Sequence, residues 1–421
     1  PNVRCYTRPN SSRYLFKARK YMKKDQGILE NITVIDMTEG VAGPYAAMAL
    51  ADMGANVVKV ERPAGDWSRP ANHSHVDGQE NGQFISLNRN KRNIGLDAST
   101  PEGKEVLSRM LSRADVLISN YRPGVMAKLG FDYSNCQLIN PHLIYCIISG
   151  FGQEGPYAQN PASDTIIQAM SGLMSLVGDP DGPPTRVGFP LVDMAAGNAA
   201  IQGILLALFG RLLGKGGANI EISLMAAALG MMTAGYTRFL ASGIPPKRQG
   251  NANMNLAPAG AYKAGDGRYI SIAILRDSHW AKFCAVMGLE DLVNDPRYRT
   301  NADRVANRKE IDRIIEPMLA SCGAKDWIER LQAADILAGP INDFGDVASD
   351  TSLTNWLPIV ETMAPNAPWA MGTPIRLNGT FAKTRYPAPA KGENTVEIMT
   401  EFGFSADEIA KSLESGTVFK L

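Results

Sequence analysis

The amino-acid sequence predicts an α/β protein: a doubly wound, Rossmann-like large domain plus a smaller α/β domain. Three observations carry that expectation. Residues 31–61 spell strand, helix and strand in about thirty residues, the spacing of a βαβ unit and hence of a parallel sheet with helical cover. The same alternation repeats as far as residue 224. Around 245–270 the texture changes to a loop rich in Gly, Pro and Asn, and amphipathic helical patterns follow it.

Taken in order, "NITVIDMTEG" (31–40) is a β-branched run ending in a turn and reads as a strand. "GPYAAMALADMG" (43–54) reads as a helix, with Pro44 suited to its first turn and Gly54 to its close. "ANVVKVE" (55–61) is a second buried strand. "TPEGKEVLSRMLSRA" (100–114) is a helix, and "DVLISN" (115–120) and "PHLIYCIISGFG" (141–152) are strands. Helices are expected at about 164–175 and 193–213, then a strand at 217–224, whose Ser223 can cap the apolar helix after it. "RYISIAI" (268–274) is a strand, and 278–335 reads as several amphipathic helices. The expected organisation is a basic N-terminal segment (1–27), the first part of the large domain (28–224), a small domain (225–330) and a C-terminal segment (331–421) returning to the large domain.

Composition narrows the function classes. With 45% hydrophobic and 20% charged residues the chain has globular composition, which excludes disorder. A formal charge of +1 gives no global bias toward nucleic acid or an anionic membrane, and neither is expected as a partner. The uncharged stretches 194–210 and 224–237 are too short and too rich in Gly, Ser and Thr to span a bilayer, and read as buried helices. Cys5, Cys136, Cys146, Cys284 and Cys322 show no C-x-x-C spacing, which argues against a disulfide framework or structural metal and for a reducing compartment. Eight Lys and Arg precede the first acid, Asp25, which is the composition of a mitochondrial transit segment and equally of a disordered basic tail. The expected location is therefore the mitochondrial matrix, or otherwise the cytoplasm.

Several residues are candidates for chemistry. The loop "TEGVAGPY" (38–45) follows the first strand but lacks G-x-G-x-x-G, so the dinucleotide fingerprint fails. Glu61 stands where a ribose ligand sits in such sites, yet Arg62 beside it suits a phosphate better; a solvated Glu–Arg pair is the plain alternative. Arg89, Lys91 and Arg92 form either a solvated edge or a second set of phosphate contacts. His142 and His279 read as packing residues, and His73 and His75 have metal-like spacing without a partner cluster, so no metal is expected. In "DGPPTRVGFPLVDMAAG" (181–197) a lone acid, Asp193, precedes an apolar helix. It is either a helix N-cap or a carboxylate nucleophile, ionised at neutral pH and in need of no general base.

"VIDMTEGVAGPYAAMALADMGANVVKVERP" resembles the N-terminal motif of the class III CoA-transferases, the group of formyl-CoA, carnitine and succinyl-CoA:dicarboxylate transferases. "LNRNKRNIGLD", "NYRPGVMAKLGFDY", "NPHLIYCIISGFGQEGPY", "DPRYRTNADRVANR" and "AGPINDF" resemble later blocks of the family in its order, so that the likeness runs from about residue 28 to 415. The resemblance implies an interlocked homodimer of ring-like subunits. It implies that Asp193 attacks an acyl-CoA thioester and that CoA passes, through a mixed anhydride and an aspartyl-CoA thioester, to an acceptor acid. It places Arg62 at the CoA phosphates and adenine, Val41 and Ala42 against the pantetheine, and Leu96, Asn120 and Lys128 at further CoA contacts. Coenzyme A esters enter as substrates and no cofactor is permanently bound. Succinyl-CoA is the expected donor and a small dicarboxylate such as glutarate or itaconate the expected acceptor, with Arg186 suited to grip an acceptor carboxylate.

The sequence departs from the family pattern in places. α-Methylacyl-CoA racemases, also in this superfamily, pair the aspartate with a histidine in a G-H-D motif; here "PASDTIIQ" puts Ser163 at that position. A serine hydroxyl does not exchange protons unaided near neutral pH, which disfavours a racemase. A CoA-binding paralogue without activity is the other alternative, and the retained Asp193 argues against it. The glycine-rich loop is "GNANMNLAPAG" (250–260), and "KGENT" (391–395) replaces L-G-E-H-T.

Overall fold

The computed structural model describes residues 27–70, 81–364 and 367–420. The basic segment 1–26, which carries the transit-segment expectation, and both His73 and His75 lie outside them. The described chain forms two compact units: one runs to Ile167 and takes in Phe189–Met231 and everything from Pro358, the other is Gln168–Gly188 with Met232–Leu357. The second unit thus extends past residue 330 and recruits 168–188, which the reading in chain order assigned to the large domain.

The first unit is built on β1 (Thr33–Met37), α1 (Ala42–Asp52), β2 (Asn56–Glu61), α2 (Gly82–Asn88), β3 (Lys91–Leu96), α3 (Pro101–Leu111), β4 (Val116–Ser119), α4 (Val125–Leu129), α5 (Tyr133–Ile139) and β5 (Ile144–Ser149). It continues with α6 (Asp164–Met170), which runs on into the second unit, then α7 (Leu191–Leu212), β6 (Ala218–Ser223) and α8 (Leu224–Met231). The sheet order is β3-β2-β1-β4-β5-β6, all parallel, with a C-terminal strand, Val418–Phe419, antiparallel beside β3. Ile35 sits between Val58 and Leu117 in register, and β4 and β5 are buried along their whole length, as continuous apolar runs covered on both faces must be. Strand order reverses between β1 and β4, which opens a crevice at the carboxyl ends of the strands.

Local sequence explains most helix limits. Thr100 caps α3 by accepting the Gly103 N–H at 3.0 Å, with Pro101 in the first turn. Ser223 accepts the Ala226 N–H at 3.0 Å at the start of α8. The alanines of α1 are buried, and α7 packs close against it: a Cβ on Gly197 would fall 2.8 Å from the Ala42 carbonyl oxygen.

Three expectations are corrected here. The α7 helix starts two residues earlier than expected, so Pro190 takes the cap position and Asp193 is the third helical residue. The apolar character of α7 does not translate into full burial either. It is 22 residues long, enough by length and composition to cross a bilayer, and Leu206, Phe209 and Leu212 are exposed on it. Arg89 and Lys91 form neither a solvated edge nor a phosphate cluster. Both are buried: Arg89 pairs with Asp52 at 2.6 Å and Lys91 with Asp36 at 2.8 Å, beside a Lys59–Asp66 pair at 2.9 Å. Arg92 pairs with Glu397 and Glu401 of the returning C-terminal segment. The partner's charge and further bonds, such as Lys91 Nζ to Pro44 O and Asn88 Oδ1, oppose desolvation in these pairs, although at Lys91 burial still prevails and brings the ammonium down to about 8.

In the second unit β7 (Ala259–Lys263), β8 (Tyr269–Ala273) and β9 (Leu337–Pro340) form an antiparallel sheet in that order. The first of these lies inside the stretch read as loop. Helices Asp277–Met287, Arg308–Leu319 and Ala324–Ala333 bury Trp280, Phe283, Ile311, Ile315 and Trp327 in this unit's core.

Candidate active site

A cavity of about 980 Å³ opens within the first unit at the carboxyl ends of its strands. Glu39 and Val41 come from the loop after β1, Arg62 and Trp67 from that after β2, Leu96 and Ser99 from the end of β3 and beyond, and Asn120 and Arg122 follow β4. Ser149 ends β5, and Ser163, Asp164 and Asp193 complete the wall. Of the residues singled out in the sequence, Val41, Ala42, Arg62, Leu96, Asn120 and Asp193 line this one cavity. Lys128 is exposed on α4 and does not; Val125 and Leu129, four residues apart, turn that helix's other side to the cavity. Arg186 is exposed in the second unit, with Nη1 3.4 Å from its neighbour's carbonyl, Val187 O.

The loop after β1 is held in place before any ligand arrives. Asp36 Oδ1 accepts the Thr38 N–H at 3.1 Å, and Lys59 Nζ donates to Thr38 O at 2.7 Å. Asn120 clamps the Glu39 backbone from both sides, accepting its N–H at 3.0 Å and donating to its carbonyl at 2.7 Å. Asp66 accepts the Gly40 N–H at 3.3 Å. Gly40 has φ +82°, and a Cβ there would meet the Trp67 ring at 2.4 Å, so only glycine fits without movement.

Glu61 does not offer itself to a ribose. It is buried, and its oxygens accept Arg69 Nε at 2.6 Å, Arg69 Nη2 and Asn93 Nδ2 at 2.7 Å, and the Asp66 N–H at 2.9 Å. Arg62, by contrast, is half exposed at the cavity and paired with Glu39.

Asp193 is partly buried, and its surroundings contradict the sequence expectation that it is ionised outright at neutral pH. Burial first, and then the like charge of Asp164, push its carboxyl up to about 7. The amides of the helix start do not relieve it, because Asp164 takes them: its Oδ2 accepts the Val192 N–H at 2.7 Å and the Asp193 N–H at 3.3 Å. Asp164 caps α7 from another element. The sequence reading passed over it, and no local pattern ties two acids 29 residues apart. Ser163 is exposed on the cavity wall, and its backbone carbonyl accepts the Ile167 N–H at the start of α6. His142 is exposed and His279 half-buried; neither lines the cavity.

The sequence model of CoA-transferase family III matches residues 29–395. The chain is 34% identical to a succinate–glutarate CoA-transferase of Agrobacterium fabrum over 89% of its own length and 95% of that protein's. It is 35% identical to an acetyl-CoA:oxalate CoA-transferase of Acetobacter aceti, over 90% and 97%. Among solved structures, a CAIB/BAIF family protein from Brucella suis superposes with a TM-score of 0.80 at 34% identity, covering 90% of this chain and all of that one. A family match across most of the sequence, a fold shared over the same span and a carboxylate in the strand-end crevice agree: this chain belongs to the family III CoA-transferases, enzymes that move CoA between carboxylic acids.

Proposed function

We propose that Asp193 is the nucleophile of this CoA transfer and carries covalent intermediates. One observation supports the reading above others: a partly buried carboxylate on the wall of the cavity at the carboxyl ends of the strands, with no histidine or cysteine among the described residues that line it. The ionised Asp193 oxygen attacks the thioester carbonyl, forming an aspartyl–acyl anhydride and releasing CoA thiolate. The thiolate attacks the aspartyl carbonyl, so the donor acid leaves and an aspartyl-CoA thioester remains. The acceptor carboxylate attacks that thioester and expels the thiolate, which then takes the acyl group from the new anhydride and restores Asp193. Arg62 holds CoA phosphate and adenine, and Val41, Ala42, Leu96 and Asn120 line the path of the pantetheine.

Succinyl-CoA as donor and a small dicarboxylate as acceptor are the substrates we assign, supported by the names of the relatives, with Arg186 as a grip for an acceptor carboxylate. The exposed apolar side chains of α7 are assigned to a second copy of the chain in an interlocked homodimer, checked by sedimentation of the purified protein. The basic segment 1–27 is assigned to matrix targeting, checked by the location of a tagged chain. The test of the nucleophile is chemical trapping. After incubation with succinyl-CoA and then hydroxylamine or borohydride, mass spectrometry should find one modified carboxylate, in the peptide containing "FPLVDMAAG". Modification of a different acid alone ends the reading.

A further inference from the structure

Asp164 lies on the cavity wall with its carboxylate buried, 8% exposed as a residue, and its Oδ2 takes the N–H groups of Val192 and of Asp193 itself. A helix start normally favours an anion on its first turn through its free N–H groups and positive dipole end. Here a second carboxylate has claimed those groups, and it comes from α6, outside the helix it caps. Two consequences follow. The first turn of α7 is pinned at the nucleophile's own amide, and the nucleophile faces a fixed like charge in place of the helix-end donors.

We propose that Asp164 is a positioning residue for CoA transfer: it fixes the first turn that presents Asp193 to the cavity and denies the Asp193 carboxylate the stabilising field of the helix start. A carboxylate kept basic in this way is a better nucleophile toward a thioester than one soothed by an N-cap, at the cost of a smaller ionised fraction near neutrality. The proposal rests on Asp193 being the nucleophile. Other ionisable groups do face the cavity: Glu39, Arg62, Asp97, Tyr121 and Arg122 from the loops after β1 to β4. Arg62 is already paired with Glu39. On α1, which packs against α7, Tyr45 bonds Asn198 and Asp52 is committed to Arg89; α8, the other helix against α7, has no ionisable side chain. Among the described residues, burial first and then the charge of Asp164 raise the Asp193 carboxyl.

The experiment measures kcat/KM for succinyl-CoA against pH in the full-length wild type, Asp164→Asn, Asp164→Ala and Asp193→Asn. Asp164→Asn keeps an oxygen for the two amides and loses the charge, so its melting temperature should stay near wild type while the acid limb moves to lower pH. A carboxyl that titrates at about 7 is about one-tenth ionised at pH 6; burial, the larger cause, persists in Asp164→Asn, so the ratio of Asp164→Asn to wild type should rise between pH 8 and pH 6 by less than the roughly ten-fold that full ionisation would give. Asp164→Ala loses the amide contacts as well and should lower kcat at every pH. An Asp164→Asn acid limb that coincides with wild type overturns the proposal, even if Asp164→Ala does not fold. If Asp193→Asn is inactive and that limb is unmoved, only the role of Asp164 falls. If Asp193→Asn turns over normally, the nucleophile assignment falls and this one with it.

Discussion

Arg62 holds Glu39 in a two-pronged grip at the cavity wall, Nε to Oε1 at 2.6 Å and Nη2 to Oε2 at 3.0 Å. A ligand phosphate reaching Arg62 must therefore compete with a carboxylate that already satisfies it. Arg62→Ala should weaken CoA-ester binding by about 1.5–3 kcal/mol, the worth of a charge-assisted contact. Glu39→Gln should do the opposite, lowering KM for acyl-CoA by freeing the guanidinium. Comparing CoA with dephospho-CoA esters identifies the phosphate: equal losses on both in Arg62→Ala exclude the 3′-phosphate as its partner.

Asp193→Asn separates chemistry from stability. Transfer should drop by several orders of magnitude, because the amide cannot attack. The folded carboxyl titrates near 7, above the ordinary value of 3.8, so the native state holds the proton more tightly between those limits. Wild-type stability should accordingly fall as pH rises from about 4 to about 7, by up to roughly 4 kcal/mol, and then level off. The asparagine variant lacks this decline and should melt higher than wild type at pH 8 but not at pH 4. A gap in melting temperature that does not change with pH would contradict the burial of this carboxylate.

Gly40→Ala should damage the cavity wall through two separable causes. The left-handed backbone at φ +82° costs a side chain about 1–2 kcal/mol, and the new methyl group strikes the Trp67 ring. Replacing Trp67 by alanine in the same chain removes the collision and leaves the backbone cost. Part of the lost melting temperature should return in the double variant; no return at all would show that the ring is not what the methyl group meets.

Ser163 shares the cavity with Asp193, and the resemblance of its block to the G-H-D block of the racemases aligns it with their histidine. No solvent deuterium should enter the α-position of a 2-methylacyl-CoA during turnover in heavy water, because the hydroxyl supplies no base near neutral pH. NMR of the recovered ester reads this directly. Exchange at a rate comparable with CoA transfer would reassign the chemistry.

β1, β4 and β5 were legible because each is an apolar run bounded by turn residues, whereas β3 opens on Lys91, Arg92 and Asn93 and read as a charge cluster. Arg62 and Asp193 stood out by their own positions, after a strand and before an apolar helix, while Val41, Ala42, Leu96 and Asn120 came only through resemblance. What stayed hidden depends on partners distant in sequence. Arg89 and Lys91 look like surface charges until Asp52 and Asp36 are placed against them. Asp193 reads as its own cap until α6 brings Asp164 to the helix start. Lys128 lies off the cavity lining because the helical period decides which side of α4 faces it, and Val125 and Leu129 take that side.

The C-terminal strand Val418–Phe419 completes the sheet beside β3, more than three hundred residues after β3 has been made. Arg92, Gly95 and Asp97 likewise take partners beyond residue 394, in Glu397 and Glu401, Thr395 and Thr417. At a synthesis rate of about 5–20 residues per second, the ribosome keeps those partners back for tens of seconds while the second unit emerges. Throughout that interval the nascent chain carries an open sheet edge, the feature that recruits a neighbouring strand from another polypeptide. Closing the sheet therefore waits until residues 418–419 have left the ribosome, and until then a chaperone has reason to hold the chain.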